Sequence, residues 1–325
     1  MAGGQERVLR RRIKSIQSTQ KITRAQELIA ASRIARAQAT VAAAQPYSET
    51  ISQVVKDLAL SGGGNSPLLV PREQIQRVAH IVIAGDRGLC GAYNSSVIRL
   101  AERSILEQQR LGRDYSLIVV GRKAEGYFRY RDYKIDAAFS GFSDRPTYED
   151  ARRVGSAATE GFLSGHTDLV QVVYTRFVTV GTQVVAEETL MPLSRDEIVD
   201  PTGGGDAGAP RAAYEFEPST EGILDLLLPR YVDSRVYAAL LNGAASEHAA
   251  RQRAMKSATD NAEDLITTLS RKMNRARQDS ITTEIMEIVS GAEALRSKAV
   301  RGDDLLSDTI EGRESDLFVG RTSDN

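Results

Sequence analysis

The chain has 325 residues and a formal net charge of -1, and charged residues make up 26% of it in nearly equal numbers of each sign. Strong nonspecific nucleic-acid binding depends on an excess of positive charge, so this balance argues against it. Aromatic residues contribute only 6% and Trp is absent, which indicates a chain that owes much of its length to helix.

The single Cys excludes an intramolecular disulfide and a cysteine-ligated metal cluster. The first residues, MAGGQERVLRRR, lack the apolar core of a secretory signal. No apolar run approaches the ~20 residues that span a bilayer. The sequence therefore predicts a soluble protein, or one that reaches a membrane only through partners.

Residues 1–60 are predicted to form one long helical element. Residues 5–45 contain no Pro or Gly, and Pro46 is expected to kink or interrupt the helix before SGGGNSP at 61–67 ends it. Apolar residues recur at three- and four-residue spacing, which predicts a narrow stripe that pairs with one other helix. The stripe consists of Leu9, Ile13, Ile16, Ile22, Ala25, Ile29, Ile34, Ala37, Val41 and Ala44.

Residues 77–217 predict a small Rossmann-like α/β domain, because short apolar runs alternate with helical segments. Thr147 is a candidate helix cap. Residues 177–185 alternate in polarity and predict an antiparallel edge strand, and the loop 195–213, which contains PTGGGDAGAP, is flexible by composition. The other predicted strands are 78–84, 116–121, 169–174 and 214–217, and the predicted helices are 94–109 and 148–162.

Residues 219–296 predict a second long helix, with Ser219 as its cap. Its apolar stripe has a period near 3.5 residues, which implies a left-handed supercoil. The charged residues 297–325 predict a mostly disordered tail. The stripe consists of Leu241, Ala245, His248, Met255, Ala258, Ala262, Ile266, Leu269, Met273, Ala276, Ile285, Ile288, Ala292 and Leu295.

Together these elements predict a mixed α+β and α/β fold. The N- and C-terminal helices would form a long antiparallel, left-handed coiled coil, and the small α/β domain would sit beside this rod. The alternative is that both helices lie on the sheet of one globular domain. The rod is favoured because the helices are too long to cover a small sheet.

The loop GDRGLCG at 85–91 is a candidate for a phosphate-binding turn or a nucleophile site, because it combines three glycines with an acid, an arginine and the single cysteine. It lacks the Lys-Ser/Thr ending of a phosphate-binding P-loop, and its glycines do not fit the dinucleotide-binding spacing. A nucleophilic cysteine needs a nearby base, and the three histidines are scattered along the chain. The loop is therefore interpreted as a tight strand-to-helix turn with Cys90 as a small buried residue. No catalytic, cofactor-binding or metal site is predicted.

Five segments identify a resemblance. Residues 13–38, GDRGLCGAYN at 85–94, 214–232, AMKSATDNAEDLI at 254–266 and ARQDSITTEIMEIVSGAEAL at 276–295 closely resemble the gamma subunit of F-type ATP synthase. The resemblance covers nearly everything from residue 3 to 296. It implies that the paired helices are a rotor shaft, standing inside a hexamer of alpha and beta subunits and resting with the epsilon subunit on a ring of c subunits.

The resemblance also implies which residues contact a catalytic beta subunit. Arg277, Gln278 and Thr282 would contact a loop of that subunit, as would Arg251, and Lys21 and Arg24 would face the same ring of subunits. Arg and Gln suit such contacts because they bind carboxylates and backbone groups and can release them again. The other interpretation is ordinary exposed helix polarity, which also applies to the basic run at residues 10–14.

The resemblance implies no cofactor, no catalysis by the subunit alone, and a peripheral position on the cytoplasmic face of the plasma membrane. Where many relatives carry Met, this chain has Gln26, and having only Cys90 it lacks the dithiol switch of the chloroplast form. The tail beyond Leu295 and the composition suggest an actinobacterial source. Two other functions stay open: a stand-alone coiled-coil scaffold carrying an α/β module, and an enzyme that uses the α/β domain on a nucleotide.

Overall fold

The computed structural model describes residues 2–60, 66–193 and 220–314. One compact unit contains Met1–Gln20 and Asp260–Asn325, and the other is Lys21–Thr259. The helices and strands, in chain order, are α1 (Ala2–Leu60), β1 (Arg77–Ile83), α2 (Tyr93–Arg110), β2 (Asp114–Val120), α3 (Arg122–Tyr130), β3 (Ala137–Phe139), α4 (Tyr148–Leu163), β4 (Leu169–Phe177), β5 (Gln183–Met191) and α5 (Thr220–Glu314).

The five strands form one sheet in the order β3-β2-β1-β4-β5. β1 pairs in parallel with β2 and β4, β2 pairs in parallel with β3, and β5 runs antiparallel to β4 at the edge. The predicted parallel strands and the antiparallel edge strand are thus confirmed, although residue 177 ends β4 and the edge strand proper begins at Gln183. The sequence missed the short elements α3 and β3.

Helices cover both faces of this sheet. On one face, α2 and α3 bury apolar residues such as Val97 and Phe128 against Leu117 and Val173. On the other face, α4 joins parts of both long helices in a second core. That core contains Val55 and Leu58 of α1, Phe162 of α4, and Leu228 and Val232 of α5. Residues 51–58 of α1 and 224–240 of α5 therefore belong to the core of the domain that the sequence had placed beside the rod.

Within Lys21–Thr259, α1 and α5 run antiparallel. The end of α1 packs against the beginning of α5, and Thr23, near the beginning of α1, places its Oγ1 2.8 Å from the Oγ1 of Thr259. Ile13 and Ile34 of the predicted apolar stripe of α1 are buried as predicted, but part of the stripe between them lies one residue further along. Thr23 and Ala30 are buried, whereas Ile22 and Ile29 are more than half exposed.

Helix α1 continues through Pro46, which the sequence expected to kink or interrupt it. The ring of Pro46 is exposed, and the residues after it gain burial in the core of the domain, which offsets the missing backbone hydrogen bond. The predicted cap of α4 is confirmed, because Thr147 forms a capping box with Asp150. The predicted loop 195–213, strand 214–217 and cap Ser219 lie outside the described residues.

Helix α5 also differs from the prediction towards its end. It continues to Glu314, so residues 297–314 are helical where the sequence predicted a mostly disordered tail, and residues 315–325 lie outside the described residues. No Pro interrupts this stretch, so nothing in its sequence stops a helix that is already nucleated. Every side chain from 281 to 296 is exposed, including Ile285, Ile288, Ala292 and Leu295, which the sequence had assigned to the paired seam.

A buried histidine on β1 gives the fold a pH dependence. His80 is fully buried among the apolar residues under α2, neither ring nitrogen has a hydrogen-bond partner in the described structure, and Nδ1 lies 4.0 Å from Oε1 of Glu187. Burial lowers the pKa of His80 from its usual 6.5 to about 4. The unfolded chain therefore binds more protons between these values, so stability is present above pH 6.5 and is lost as the pH falls towards 4.

We expect His80→Leu to reduce this loss of stability by about 2 kcal/mol between pH 6.5 and 4, because the substitution removes the buried titrating group. Chemical denaturation of parent and variant at several pH values measures the difference. His166→Leu is the matched control, since it replaces an exposed histidine by the same residue. A parent and a His80→Leu variant with the same pH dependence would contradict this account.

Candidate functional site

The loop between β1 and α2 carries a carboxylate, Asp86, that bonds the backbone of neighbouring loops. Asp86 accepts hydrogen bonds from the backbone N–H groups of Arg122, Gly141 and Ser143 at 3.1, 2.9 and 3.2 Å. Burial acts to raise the pKa of Asp86, but these backbone donors outweigh it and lower the pKa below its usual value. Asp86 thus ties together the loops that follow three parallel strands, which is a structural role.

Cys90 takes part in the same loop as a buried structural residue. It is 2% exposed, and its Sγ accepts a hydrogen bond from Nδ2 of Asn94 at 3.1 Å, while Oδ1 of Asn94 accepts one from the N–H of Gly85 at 2.8 Å. Burial raises the pKa of the Cys90 thiol, with Glu247 adding to the shift. A protonated thiol is a poor nucleophile, which agrees with the interpretation of this loop as a turn.

A buried ion pair of α5 packs against this turn. Nη2 of Arg251 lies 2.5 Å from Oε1 of Glu247 and also donates to the carbonyl of Gly88 at 3.3 Å. The two side chains are 9% and 1% exposed. Burial raises the pKa of Glu247 even though Arg251 acts to lower it. A side chain on Gly85 would meet Cδ of Glu247 at 2.9 Å, so glycine is needed for the close approach.

Arg251 is buried by contacts inside the chain. The resemblance implies that it contacts a beta subunit, which stays a prediction, and in the structure its guanidinium bonds to Glu247 and to the carbonyl of Gly88. Glu247 is not among the functional residues that the sequence predicts. The signal was present, because a Glu four residues before an Arg on a helix is a standard ion-pair spacing.

The other predicted contact residues are exposed and lie in two units of the chain. Lys21 and Arg24 are exposed on α1, where Nη1 of Arg24 lies 3.1 Å from Oε2 of Glu27. In the other unit, Arg277, Gln278 and Thr282 are exposed on α5, and Oγ1 of Thr282 donates to the carbonyl of Gln278 at 3.0 Å. Spacings of four and five residues place these three side chains within little more than one turn of α5.

Among the residues that the structure describes, no group of three or more His, Cys, Asp or Glu side chains is placed to hold a metal ion. Across the same described ranges, no helix combines the length and the apolar character that crossing a bilayer requires.

Comparison with known proteins identifies the family. The family model described as ATP synthase matches residues 5–295. The chain is 51% identical over 298 residues to the ATP synthase gamma chain of Frankia casuarinae, covering 90% of this chain and 99% of that protein. The chain belongs to the ATP synthase gamma chain family. The gamma chain of Streptomyces coelicolor is 46% identical over 297 residues, covering 90% of this chain and 97% of that one.

The ATP synthase gamma chain of Mycolicibacterium smegmatis is a third relative. It is 46% identical over 303 residues, covering 89% of this chain and 97% of that protein. These relatives are all actinobacterial, in agreement with the composition of the chain. The resemblance recognised from the sequence motifs is thereby confirmed.

Solved structures share the fold at low sequence identity. A chain of the Tetrahymena thermophila mitochondrial ATP synthase central stalk and c-ring has a TM-score of 0.56 at 22% identity, covering 73% of this chain and 99% of that one. A chain of the Euglena gracilis mitochondrial ATP synthase has a TM-score of 0.60 at 18% identity, covering 99% of both chains. The gamma chain fold, two long helices with a five-stranded domain, is therefore common to these proteins.

Proposed function

We propose that this chain is the central-stalk rotor subunit of a proton-translocating ATP synthase. It would couple rotation of a ring of c subunits to conformational cycling of the catalytic beta subunits. The observation that carries the proposal is the 51% identity to an ATP synthase gamma chain across nearly the whole of that protein. A stand-alone scaffold or a nucleotide-using enzyme has no comparable support.

In this proposal the two helical regions, 1–60 and 219–296, form the rotor shaft, and the domain at 77–217 is attached to its side. The subunit has no catalytic role of its own. Its partners are the alpha and beta subunits of the catalytic hexamer, the epsilon subunit and the c-ring, with no nucleic acid and no cofactor. It reaches the cytoplasmic face of the plasma membrane only through these partners.

The physical basis of the coupling is the asymmetry of one rod inside a threefold ring. Three identical beta subunits meet three different faces of the rod, so each is biased towards a different conformation with a different nucleotide affinity. Turning the rod passes these biases from one beta subunit to the next. Helices paired along much of their length suit this task because they are stiff and need no chemistry of their own.

Exposed apolar side chains between residues 281 and 289 of α5 favour the presence of a partner protein that encloses this region. Ile281, Ile285, Met286, Ile288 and Val289 are all about half exposed or more. Apolar residues grouped in this way on a soluble surface usually mark a contact with another protein. A surrounding hexamer of alpha and beta subunits fits this expectation.

Five exposed residues are the proposed polar contacts to a beta subunit: Lys21, Arg24, Arg277, Gln278 and Thr282. Their exposure leaves them free to form and break bonds with carboxylates and backbone groups as the shaft turns. Arg251 enters the proposal differently. Because Arg251 is buried and bonds Glu247 and the carbonyl of Gly88, it would hold the turn at 85–91 in place rather than contact a partner through an exposed side chain.

Affinity purification of the tagged chain from native membranes tests the assembly. We expect alpha, beta and epsilon subunits to copurify with it. A chain recovered alone, or as a homodimer, would support the scaffold alternative and refute the proposal. Nucleotide bound by the chain alone would instead support the enzyme alternative.

We expect Gln278→Ala to lower coupled ATP synthesis while leaving assembly intact. Exposed polar contacts are worth only about 0.2–1 kcal/mol each, so losing one weakens force transmission without preventing subunit association. Synthesis by membrane vesicles, normalised to the amount of assembled complex, gives the readout. Lys272→Ala, another exposed position on α5, is the control and should retain parental synthesis. Equal activities of the two variants would count against a role for Gln278.

The residues beyond 296 form a separate part of the proposal. We expect them to modulate ATP hydrolysis or to dock on the hexamer, because α5 extends to Glu314, beyond the region matched by the family model. Deleting 297–325 tests this. If ATP hydrolysis and proton pumping by the assembled enzyme are unchanged, residues 297–325 have no role in either activity.

A further inference from the structure

The sheet has a crevice where its strand order changes direction, between β1 and β4. The helices that follow β1 and β2 cover one face of the sheet, whereas α4, which leads into β4, covers the other. In parallel α/β sheets of this kind, the loops after the two central strands part at their carboxyl ends, and ligands such as nucleotides bind between them. The two loops that bound the crevice here are residues 84–92 after β1 and 178–182 after β4.

Helix α5 is bonded to the β4 side of this crevice. Oδ1 of Asn242 accepts a hydrogen bond from the N–H of Phe177, the last residue of β4, at 3.1 Å. One turn further along α5, the buried Oγ of Ser246 donates to the carbonyl of Thr175 at 3.1 Å. Because β1 pairs with β4 only as far as Val173, α5 bonds the strand backbone that β1 leaves unpaired.

Two arginines of α5 hold the loops on either side of the crevice. Nη2 of Arg251 donates to the carbonyl of Gly88, in the loop after β1, at 3.3 Å. Nη1 of Arg253 donates to the carbonyl of Val180, in the loop after β4, also at 3.3 Å. Backbone carbonyls accept both bonds, so these contacts depend on where the loops lie and not on their side chains. One segment of α5 thus spans the crevice from one loop to the other.

The approach of α5 to the end of β1 leaves no room for another molecule. A Cβ built on Gly243 of α5 would lie 3.2 Å from Cγ2 of Ile83, the last residue of β1, and 3.3 Å from the hydroxyl of Tyr93. In the loop after β1, a Cβ on Gly85 would meet Cδ of Glu247 at 2.9 Å. Glycine in a dinucleotide-binding loop lets a phosphate approach the backbone, and here it lets a helix approach.

We infer that residues 242–253 of α5 occupy the crevice as an internal ligand, so that the domain binds its own helix where such folds ordinarily bind a nucleotide. These residues offer the strand and the loops what a bound molecule would offer, namely donors to carbonyls and an acceptor to an N–H group. This inference goes beyond the rotor role and does not depend on it. If the chain is a rotor, the crevice is also where the domain holds the shaft.

Both loops should respond together when α5 is released, because one helical segment holds them. The segment 242–253 is about 17 Å long and behaves as a single rigid element. A substitution that weakens its bonds to β4 should therefore also loosen the loop after β1. A molecule that enters the crevice would likewise have to displace the whole segment.

Hydrogen–deuterium exchange of the full chain tests this coupling, with Asn242→Leu as the variant. Leucine removes the acceptor for the N–H of Phe177, and both side-chain hydrogen bonds of Asn242 lie away from the loop after β1. We expect exchange to become about tenfold faster in both loops, with little change in α3 on the far side of the sheet. Asn261→Leu replaces an exposed asparagine of the same helix and should leave all three regions unchanged. Acceleration confined to the loop after β4, or equal acceleration in α3, would overturn the inference.

Titration of ADP with magnesium into the parent chain is a second measurement that depends on no variant. Because a nucleotide in the crevice must displace α5, we expect no saturable binding up to millimolar concentrations. Saturable binding that changes hydrogen exchange in either loop would show that the crevice admits a ligand, and would overturn the inference. Neither measurement needs the other subunits, so their outcomes leave the rotor assignment to its own test.

Discussion

Glu247→Ala is expected to destabilise the folded chain by about 3–5 kcal/mol, because it leaves the guanidinium of Arg251 buried without its counter-charge. In the parent, Oε1 of Glu247 lies 2.5 Å from Nη2 of Arg251, and both side chains are more than nine-tenths buried. The loss also removes the group against which the turn at Gly85 packs. Urea denaturation of the isolated chain, followed by far-ultraviolet circular dichroism, measures the change in the free energy of unfolding.

Two further variants separate the buried charge from other effects of the substitution. Glu263→Ala changes an exposed glutamate of the same helix and should alter stability by less than about 0.5 kcal/mol. The double variant Glu247→Met with Arg251→Met replaces both charges by apolar groups, and it should recover much of the lost stability. A Glu247→Ala chain as stable as the Glu263→Ala chain would show that the pair contributes little.

Gly121→Ala is expected to destabilise the chain by about 3–5 kcal/mol, because backbone strain and an unavoidable clash add together. Gly121 joins β2 to α3 with φ at +95°, a conformation that residues with a side chain rarely adopt. A Cβ built there would lie 2.2 Å from the carbonyl oxygen of Ala84, and the backbone at Ala84 cannot move without disturbing β1. Thermal and urea denaturation both report this loss.

Gly126→Ala provides the matched control for this prediction. Gly126 lies inside α3, and a Cβ added there meets no atom within 4 Å. Alanine should stabilise the helix there by about 1 kcal/mol, since it has the higher helix propensity. The two substitutions add the same methyl group five residues apart, so opposite effects on stability would isolate the conformation of Gly121. Similar effects would rule out the strain argument.

The parts of the fold that sequence predicted best are those where one strong local signal decides the structure. The buried parallel strands show as apolar runs, and Thr147 shows as a cap because its hydroxyl satisfies the first turn of α4. Two elements, α3 and β3, were not predicted from the sequence. Helix α3 is only nine residues long and contains Gly126, and β3 has three residues that pair with β2 alone. Their existence depends on tertiary neighbours.

Packing between distant segments explains the larger differences. The effect of Pro46 was overestimated because the residues after it are held by contacts with α5 and the sheet, which the local sequence does not contain. On α1, the sequence correctly predicts that Ile13 and Ile34 are buried. It also favours Ile22 and Ile29, because isoleucine signals burial more strongly than threonine or alanine, yet Thr23 and Ala30 are the buried residues there. A seam of small side chains gives a weak hydrophobic pattern.

The contact role of the residues that the sequence motifs select stays a prediction, and the structure shows only where these residues lie. Motif resemblance selected Arg277, Gln278 and Thr282, and the structure exposes all three on α5. Resemblance also selected Arg251, but it could not show that Glu247 would bury the guanidinium. Likewise, nothing local indicates that Arg33 and Arg87, 54 positions apart, share the carboxylate of Asp144. Side chains this far apart in sequence meet only because the fold brings α1 and the loop after β1 together.

The hydrogen bond between Thr23 and Thr259 fixes how far α1 can slide along α5. Buried alanines, among them Ala30 on α1 and Ala249 on α5, lie in the same unit, and their methyl groups would pack almost equally well after a shift of one helical turn. The two hydroxyls would not, because a shift would separate their oxygens, which lie 2.8 Å apart in a buried position. One polar pair thereby sets the axial alignment of two helices whose apolar contacts alone would leave several alignments nearly equal in energy.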